Sequence, residues 1–295
     1  MLHPDARLNR VRTLGLLILL ALLSVLSGCS MIANKAADRL SASLNAGVLD
    51  QDDPETVASG LPAYLILLDG FIATADENPD LLFAGARMYS AYASNFVLDQ
   101  ERRKRLADRG FDYARRAMCA RDRRFCAAFD GGDFARFEAL IAAQKAKATE
   151  RLYTLATSWV TWVQADSGDW ARIADLPRIS AVLAQVVAVD PHYDGGNVQA
   201  YQGVLDCLLP ESLGGHPERG IERLNSAFAF AEGKNLMPKT LLAEYCARLL
   251  FDPELHNRVL HEVLAADPHA KGWTLANTLA RRRASELLQS GEDYF

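Results

Sequence analysis

From residue 54 onward, apolar side chains recur at the spacing of an amphipathic α-helix. Leu61, Leu65 and Leu68 lie three or four residues apart, and Pro62 predicts the first turn of that helix. A second helix opens at Asn78-Pro79. Glycine pairs and X-Pro steps separate the segments, and no stretch alternates with the period of a strand. We therefore predict an all-α fold, with further helices over residues 101–118, 133–148, 150–165, 177–188, 196–209, 217–231, 238–251, 254–265 and 272–289.

The helices carry a recurring spacing that is typical of a helical repeat. A small-x3-large-x2-small pattern marks the second helix of the tetratricopeptide repeat (TPR). It fits Ala107, Phe111 and Ala114, and also Gly220, Leu224 and Ala227. The same spacing with a following proline links Ile179, Leu183, Val186 and Pro191 to His256, Leu260, Val263 and Pro268. We predict a TPR-like array of antiparallel helix hairpins; generic amphipathic helices are the alternative, and residues 120–165 fit the repeat poorly.

The first thirty residues have the pattern of a targeting segment. Three arginines precede an apolar run from Leu14 to Leu26, and the run ends in Leu26-Ser27-Gly28-Cys29. That run is shorter than a membrane span. The ending looks like the lipobox of bacterial lipoproteins, in which Cys29 receives the lipid. An ordinary secretory signal or a short anchor helix is the alternative.

The lipobox sets the predicted domain organisation. Residues 1–28 are a signal peptide, residues 29–53 are a lipidated N-terminus and tether, and residues 54–295 are a single TPR-like domain. Ser30 follows the cysteine where aspartate would retain the protein in the inner membrane. We therefore predict the periplasmic face of the outer membrane, with several acyl chains, palmitate among them, holding the chain.

Composition narrows the function classes. Half of the 295 residues are apolar and 23% are charged, which excludes disorder and disfavours a polytopic membrane protein. The formal charge of −5 disfavours nucleic-acid binding. Loss of residues 1–28 removes three arginines and one aspartate, so the mature charge becomes −7.

The four remaining cysteines leave two questions open. Cys119 and Cys126 are seven residues apart, about 10.5 Å on a continuous helix, which is too far for a disulfide. They can pair only if the segment bends. Cys207 and Cys246 lie in apolar helices, and we interpret them as buried small hydrophobic residues rather than as a pair.

The sequence lacks the common motifs of catalysis and metal binding. His261-Glu262 resembles the start of a zinc-protease motif, but Ala265 stands where the second histidine belongs. The chain has neither a G-x-S-x-G elbow nor a phosphate-binding loop. The sequence predicts no catalytic residue, no metal and no cofactor, and thus a protein that is not an enzyme.

Two clusters suggest binding surfaces. Trp159, Trp162, Tyr193 and Tyr201 concentrate aromatic rings near the Asp190-Pro191 turn, with Trp170 close by in sequence. They are candidates for a ligand cleft, with Trp162 and Tyr193 favoured, or else they pack in the core. Residues 101–124 hold ten Lys or Arg against four acids. This run is either a docking face or, the interpretation we prefer, a solvated helix face.

The order of distinctive stretches resembles the T-component family of tripartite ATP-independent periplasmic (TRAP) transporters. The stretches are Leu61 to Leu68, Asn78 to Leu82, Tyr89 to Ala93, Trp159 to Trp162, Val189 to Gly196, Gly214-Gly215, Val263 to Pro268, Leu275 to Asn277 and Tyr294-Phe295. The Arg-rich, cysteine-containing insert from Arg115 to Phe129 departs from the family pattern.

The resemblance implies a TPR-like lipoprotein that binds a periplasmic solute-binding protein. It also implies a homo-oligomer, a trimer being one form, and a small hydrophobic or organic-acid ligand. The competing functions are an envelope-assembly or pilotin-like scaffold and, less favoured, an enzyme with a site in the aromatic cleft.

Overall fold

The computed structural model describes residues 43–75, 77–130 and 132–295, and among them all regular structure is helical. Residues 43–49 form a helical segment that precedes the compact unit 50–295. The predicted signal peptide and Cys29 lie outside the described residues. The compact unit contains α1 Pro54–Thr74, α2 Pro79–Phe96, α3 Gln100–Arg121, α4 Arg123–Asp130, α5 Phe134–Ala142, α6 Thr149–Gln164, α7 Trp170–Ile173, α8 Leu176–Val189, α9 Asn197–Asp206, α10 Pro217–Phe230, α11 Met237–Leu241, α12 Pro253–Ala265 and α13 Thr274–Tyr294.

Side-chain caps and prolines explain where several helices begin. Asp53, Asn78 and Asp252 each accept a backbone N–H of the first helical turn, and each is followed by a proline that needs no hydrogen-bond partner there. One start was predicted wrongly. Helix α1 begins at Pro54, so Pro62 lies inside the helix rather than in its first turn.

The helices pair into four consecutive antiparallel hairpins: α2 with α3, α6 with α8, α9 with α10, and α11 with α12. The four predicted repeat triplets all lie on the second helix of a hairpin and are buried there. Helices α9 and α10 approach closely, since a Cβ on Gly220 would lie 2.7 Å from the carbonyl oxygen of Gly203. The all-α prediction is confirmed, and the hairpin order is consistent with a TPR-like array.

Residues 123–148 are an elaboration between the first two hairpins. Helices α4 and α5 and a short 3-10 turn bury Phe125, Phe137 and Ile141 against the core. The chain breaks its helix at Asp122, which brings Cys119 and Cys126 into a disulfide with Cα atoms 5.1 Å apart. Because the helix breaks here, residues 120–165 fit the repeat poorly. The break also lets the two cysteines pair, although a straight helix would hold them too far apart.

The interpretation of Cys207 and Cys246 as unpaired core residues was wrong. The two form a buried disulfide between the third and fourth hairpins, with Cα atoms 5.0 Å apart. Cys246 lies in a π-helical segment, Leu242–Ala247, that continues α11. Both cysteines are buried. Apolar neighbours in the sequence are expected for a buried disulfide and for two buried thiols alike, so they could not predict the pairing.

The first and last helices of the compact unit meet. Glu55 of α1 pairs with Arg282 of α13 at 3.2 Å, and the Asp50 carboxylate accepts the backbone N–H of Gly272. Helix α1 buries Leu65, Leu68 and Ile72, whereas its opposite side is apolar and exposed. That exposed side carries Gly60, Ala63, Tyr64, Ile66, Leu67, Gly70 and Phe71. Among the described helices, α1 is the one that is long and apolar enough to cross a membrane.

Candidate functional site

The predicted aromatic residues divide into two groups. Trp159 on α6 is only 2% exposed and lies among the rings of Phe111, Phe129 and Phe137, at centroid distances of 5.0, 5.7 and 6.0 Å. Its indole N–H donates to Asp175 at 3.1 Å. This position favours core packing for Trp159, the alternative that the sequence had left open.

Trp162 lies one turn further along α6 and is half-buried. The guanidinium of Arg172 lies 4.3 Å from the centre of its ring and donates to the Trp162 carbonyl at 2.7 Å. The same guanidinium pairs with Asp108 of α3 at 2.8 Å. Arg172 itself is buried, so one face of Trp162 is held by a fixed cation.

Tyr193 and Tyr201 meet around a third tyrosine, Tyr153, which the sequence analysis had not singled out. Their ring centres lie 5.0 and 5.9 Å from that of Tyr153. The Tyr153 hydroxyl donates to Asp194 at 2.8 Å. Burial raises the pKa of Tyr201 to about 12, and burial with the nearby Asp194 carboxylate raises that of Tyr153. All three phenols are therefore neutral at physiological pH.

A separate cavity of about 370 Å³ lies between α1 and α3, away from the aromatic cluster. It is lined by Asp69, Ile72, Ala73, Glu77, Tyr113 and Arg116. Asp69 receives three hydrogen bonds: 2.6 Å from the Tyr89 hydroxyl, 2.7 Å from the Tyr113 hydroxyl and 2.8 Å from Arg109. Burial and the Asp69 hydrogen bond raise the pKa of Tyr89 and Tyr113.

The rim of the cavity is an ion pair. Glu77 accepts two hydrogen bonds from Arg116, at 2.5 and 3.1 Å, and this keeps the pKa of Glu77 below its usual value. Glu77 has a φ of 56°, a left-handed conformation that is rare for a residue other than glycine. The cavity thus combines the apolar side chains of Ile72 and Ala73 with polar groups that are already paired with one another.

The arginine-rich helix α3 supplies much of this site. Arg116 lines the cavity and Arg109 pairs with its Asp69, while Lys104 reaches Asp166 at 2.8 Å and Arg121 pairs with Asp80. The run of cations from 101 to 124 is therefore extensively paired with acids of the chain. Spacing along α3 could have indicated Arg109, Tyr113 and Arg116 as one face, but Asp69 and Glu77 come from other segments and had no sequence signal.

Within residues 43–75, 77–130 and 132–295, no three His, Cys, Asp or Glu side chains come together as metal ligands. The described cavity likewise presents carboxylates that are already held by arginine and tyrosine. These hydrogen bonds and ion pairs connect α1, and Glu77 just after it, to α3 across the cavity.

The fold defines an all-α protein built from stacked helix hairpins. A family model described as TRAP transporter T-component matches residues 50–295, so the chain belongs to that family. The match spans the whole compact unit and confirms the resemblance seen in the sequence. No curated protein matches the chain. The family is a component of a transporter and not a family of enzymes, and it implies an association with the membrane and the periplasm.

Proposed function

We propose that the protein is a non-enzymatic, periplasm-facing lipoprotein that serves a TRAP transporter by binding its solute-binding protein. The observation that carries this proposal is the family match over residues 50–295. A hairpin array suits the role, because stacked repeats recognise partners over broad surfaces without catalytic residues.

Binding to the partner is tested with the mature chain carrying Cys29→Ser. Its affinity for the solute-binding protein encoded beside it is measured by calorimetry, with and without candidate solutes. Saturable binding supports the proposal. Absence of binding under every ligand condition overturns it. Association instead with secretin or barrel-assembly proteins would point to the scaffold function.

Anchoring through Cys29 is a separate part of the proposal. Removal of residues 1–28 and acylation of Cys29 would hold the domain at the outer membrane through several acyl chains, and the segment from residue 30 up to the compact unit at Asp50 would act as a tether. Radiolabelled palmitate should enter the wild-type chain, which should fractionate with outer membranes. The Cys29→Ser variant should take up no label; label in that variant would contradict the assignment.

We further propose that a small hydrophobic or organic-acid ligand binds to the chain. Trp162, Tyr193 and Tyr201 are the aromatic candidates that remain once Trp159 is assigned to the core; the cavity beside Tyr113 is the polar candidate. Quenching of tryptophan fluorescence by a solute, lost in Tyr193→Ala and kept in Tyr113→Ala, would select the aromatic site. The reverse pattern would select the cavity.

Self-association, as a trimer or another homo-oligomer, is supported by the uncovered side of α1. Gly60 and Gly70 meet nothing within 4 Å of an added Cβ, so a second helix can approach closely there. Light scattering on Ile66→Gln with Phe71→Gln should report a smaller mass than the wild type. An unchanged mass would show that this side of α1 does not form the interface.

A further inference from the structure

The four turns inside the hairpins lie along one edge of the array. These turns are residues 97–99, 165–175, 207–216 and 250–252, and we call the edge that they form the hairpin-turn edge. Contacts between neighbouring hairpins place them side by side. Lys104 and Asp108, at the start of α3, pair with Asp166 and Arg172 of the second turn, both at 2.8 Å.

The alignment continues to the last hairpin. Gln202, near the end of α9, donates to the Ser180 carbonyl near the start of α8 at 2.8 Å. The disulfide between Cys207 and Cys246 then joins the third turn to the helix that leads into the fourth. The second, third and fourth turns therefore follow one another on the same edge.

Each of the four turns exposes a large apolar side chain. Leu98 is 94% exposed, Trp170 81%, Leu213 68% and Phe251 61%. Leu208, Leu209 and Leu250 add to the row, and Tyr294 packs beside Phe251. Among the described residues of the compact unit, the opposite edge of the hairpins exposes one comparable side chain, Phe134. This asymmetry marks an interaction surface rather than scattered apolar residues.

The third and fourth turns have defined local conformations. Phe251 has a φ of 55°, which is unusual for an aromatic residue, and its ring lies 5.4 Å from that of Phe295. The third turn is closed by the Gly215 N–H, which donates to the Pro210 carbonyl at 3.1 Å. A fixed presentation lowers the entropic cost of binding.

The charges along this edge indicate what kind of partner fits. Lys104, Arg172 and Arg219 are each paired with an aspartate within 2.8 Å. Arg102 and Arg105 at the start of α3 are exposed and pair with no carboxylate among the described residues, so the edge combines apolar anchors with a small positive patch. Large apolar anchors framed by polar and charged side chains are the pattern of the centre and rim of a protein interface, and the positive patch suits a protein partner with acidic side chains.

The size of the row agrees with a protein partner. Helices pack about 10 Å apart, so four hairpins spread the anchors over about 30 Å. That length matches a standard interface of about 800 Å² per partner. We propose that the hairpin-turn edge is the docking face for the solute-binding protein, with Leu98, Trp170, Leu213 and Phe251 as its anchors. This inference rests on the proposed function.

The test compares variants of the mature Cys29→Ser chain by calorimetry against the solute-binding protein. Leu98→Ser combined with Trp170→Ser should weaken binding at least about tenfold, since exposed aromatic anchors dominate such interfaces. Phe134→Ser on the opposite edge is the matched control and should stay within about twofold of wild type. Both variants should keep the wild-type melting temperature, because the altered side chains are exposed.

The outcomes separate the two proposals. A wild-type chain that does not bind overturns the proposed function and the docking face together. A wild-type chain that binds, with the double variant equally tight, overturns the docking face alone. A double variant that loses sedimentation with phosphatidylethanolamine–phosphatidylglycerol vesicles while keeping its affinity for the protein shows a membrane surface instead, and also overturns the docking face.

Discussion

The two cores of the compact unit treat their polar side chains differently. In the N-terminal core, from Leu65 to Val198, Asp69 gathers two tyrosines and Arg109 at the wall of an open cavity. In the C-terminal core, from Ala200 to Leu287, Asn277 is sealed from solvent and holds backbone groups of two loops. The Asp69 network borders the cavity, so its groups can exchange hydrogen bonds with a ligand or water. The Asn277 network is closed to solvent, so its hydrogen bonds serve to hold the fold together.

The two disulfides also differ between the N-terminal and C-terminal parts of the compact unit, and we expect them to give the largest difference in unfolding free energy. Cys207–Cys246 closes 39 residues between two hairpins, and Cys119–Cys126 closes 7 residues within the insert. Replacing the first pair by alanine should cost about 4 kcal/mol, and replacing the second about 2 kcal/mol, because longer loops gain more entropy on release. Urea unfolding of both double variants measures this; equal losses would contradict the comparison.

Asn277→Ala should cost about 3 kcal/mol of unfolding free energy. The substitution leaves the Leu236 N–H and the Lys234 and Pro268 carbonyls without the amide that now bonds them at 2.8, 2.8 and 3.1 Å. Thr278→Ala, at the next position, is the control and should cost well under about 1 kcal/mol. Thermal denaturation of the two variants reports the difference; similar melting temperatures would mean that the sealed network is not a scaffold.

Asp69→Asn should have a smaller effect on stability, about 1 kcal/mol, because the site borders solvent. Its clearer effect should be on the tyrosines. Without the carboxylate, the pKa of Tyr113 and Tyr89 should fall toward the ordinary phenol value, since the Asp69 charge now helps to raise both. Ultraviolet titration of the phenolates measures this. Asp80 pairs with Arg121 alone among the described residues, so the control Asp80→Asn should leave the tyrosine titration unchanged.

The smallest predicted effect is a loss of C-terminal stability in acid. His256 is buried against Gly291 and Phe295, and burial together with the nearby Arg248 lowers its pKa below 6.5. The unfolded chain therefore binds a proton more readily than the fold. Stability should be full above about pH 6.5 and decline as the pH falls below it.

Melting temperatures of wild type, His256→Gln and His261→Gln between pH 7.5 and 5 test this linkage. Removing His256 should flatten the profile, whatever its effect on the melting temperature at neutral pH. His261 is exposed, so its removal should leave the slope as in wild type. Parallel slopes for all three proteins would rule out His256 as the titrating group.

Sequence predicted the helices well because their signals are local. Apolar spacing and the Asp-Pro and Asn-Pro caps suffice to place most of the thirteen helices, and the repeat triplets fall on the buried faces of α3, α8, α10 and α12. The site was harder to predict, because its groups converge from different segments. Asp69 meets Tyr113 across 44 residues, and Cys207 meets Cys246 across 39. Such pairings depend on how the hairpins stack, which no local pattern encodes.

The ion pair between Glu55 and Arg282 joins the first helix of the compact unit to the last. Repeat proteins ordinarily change length during evolution, since each new unit needs contact only with its neighbours. Here the two ends also contact each other, so a duplicated or deleted hairpin would break that contact. The number of repeats in this chain is therefore constrained by its closure, and we expect variation among relatives to accumulate in insertions such as residues 123–148 instead of in repeat count.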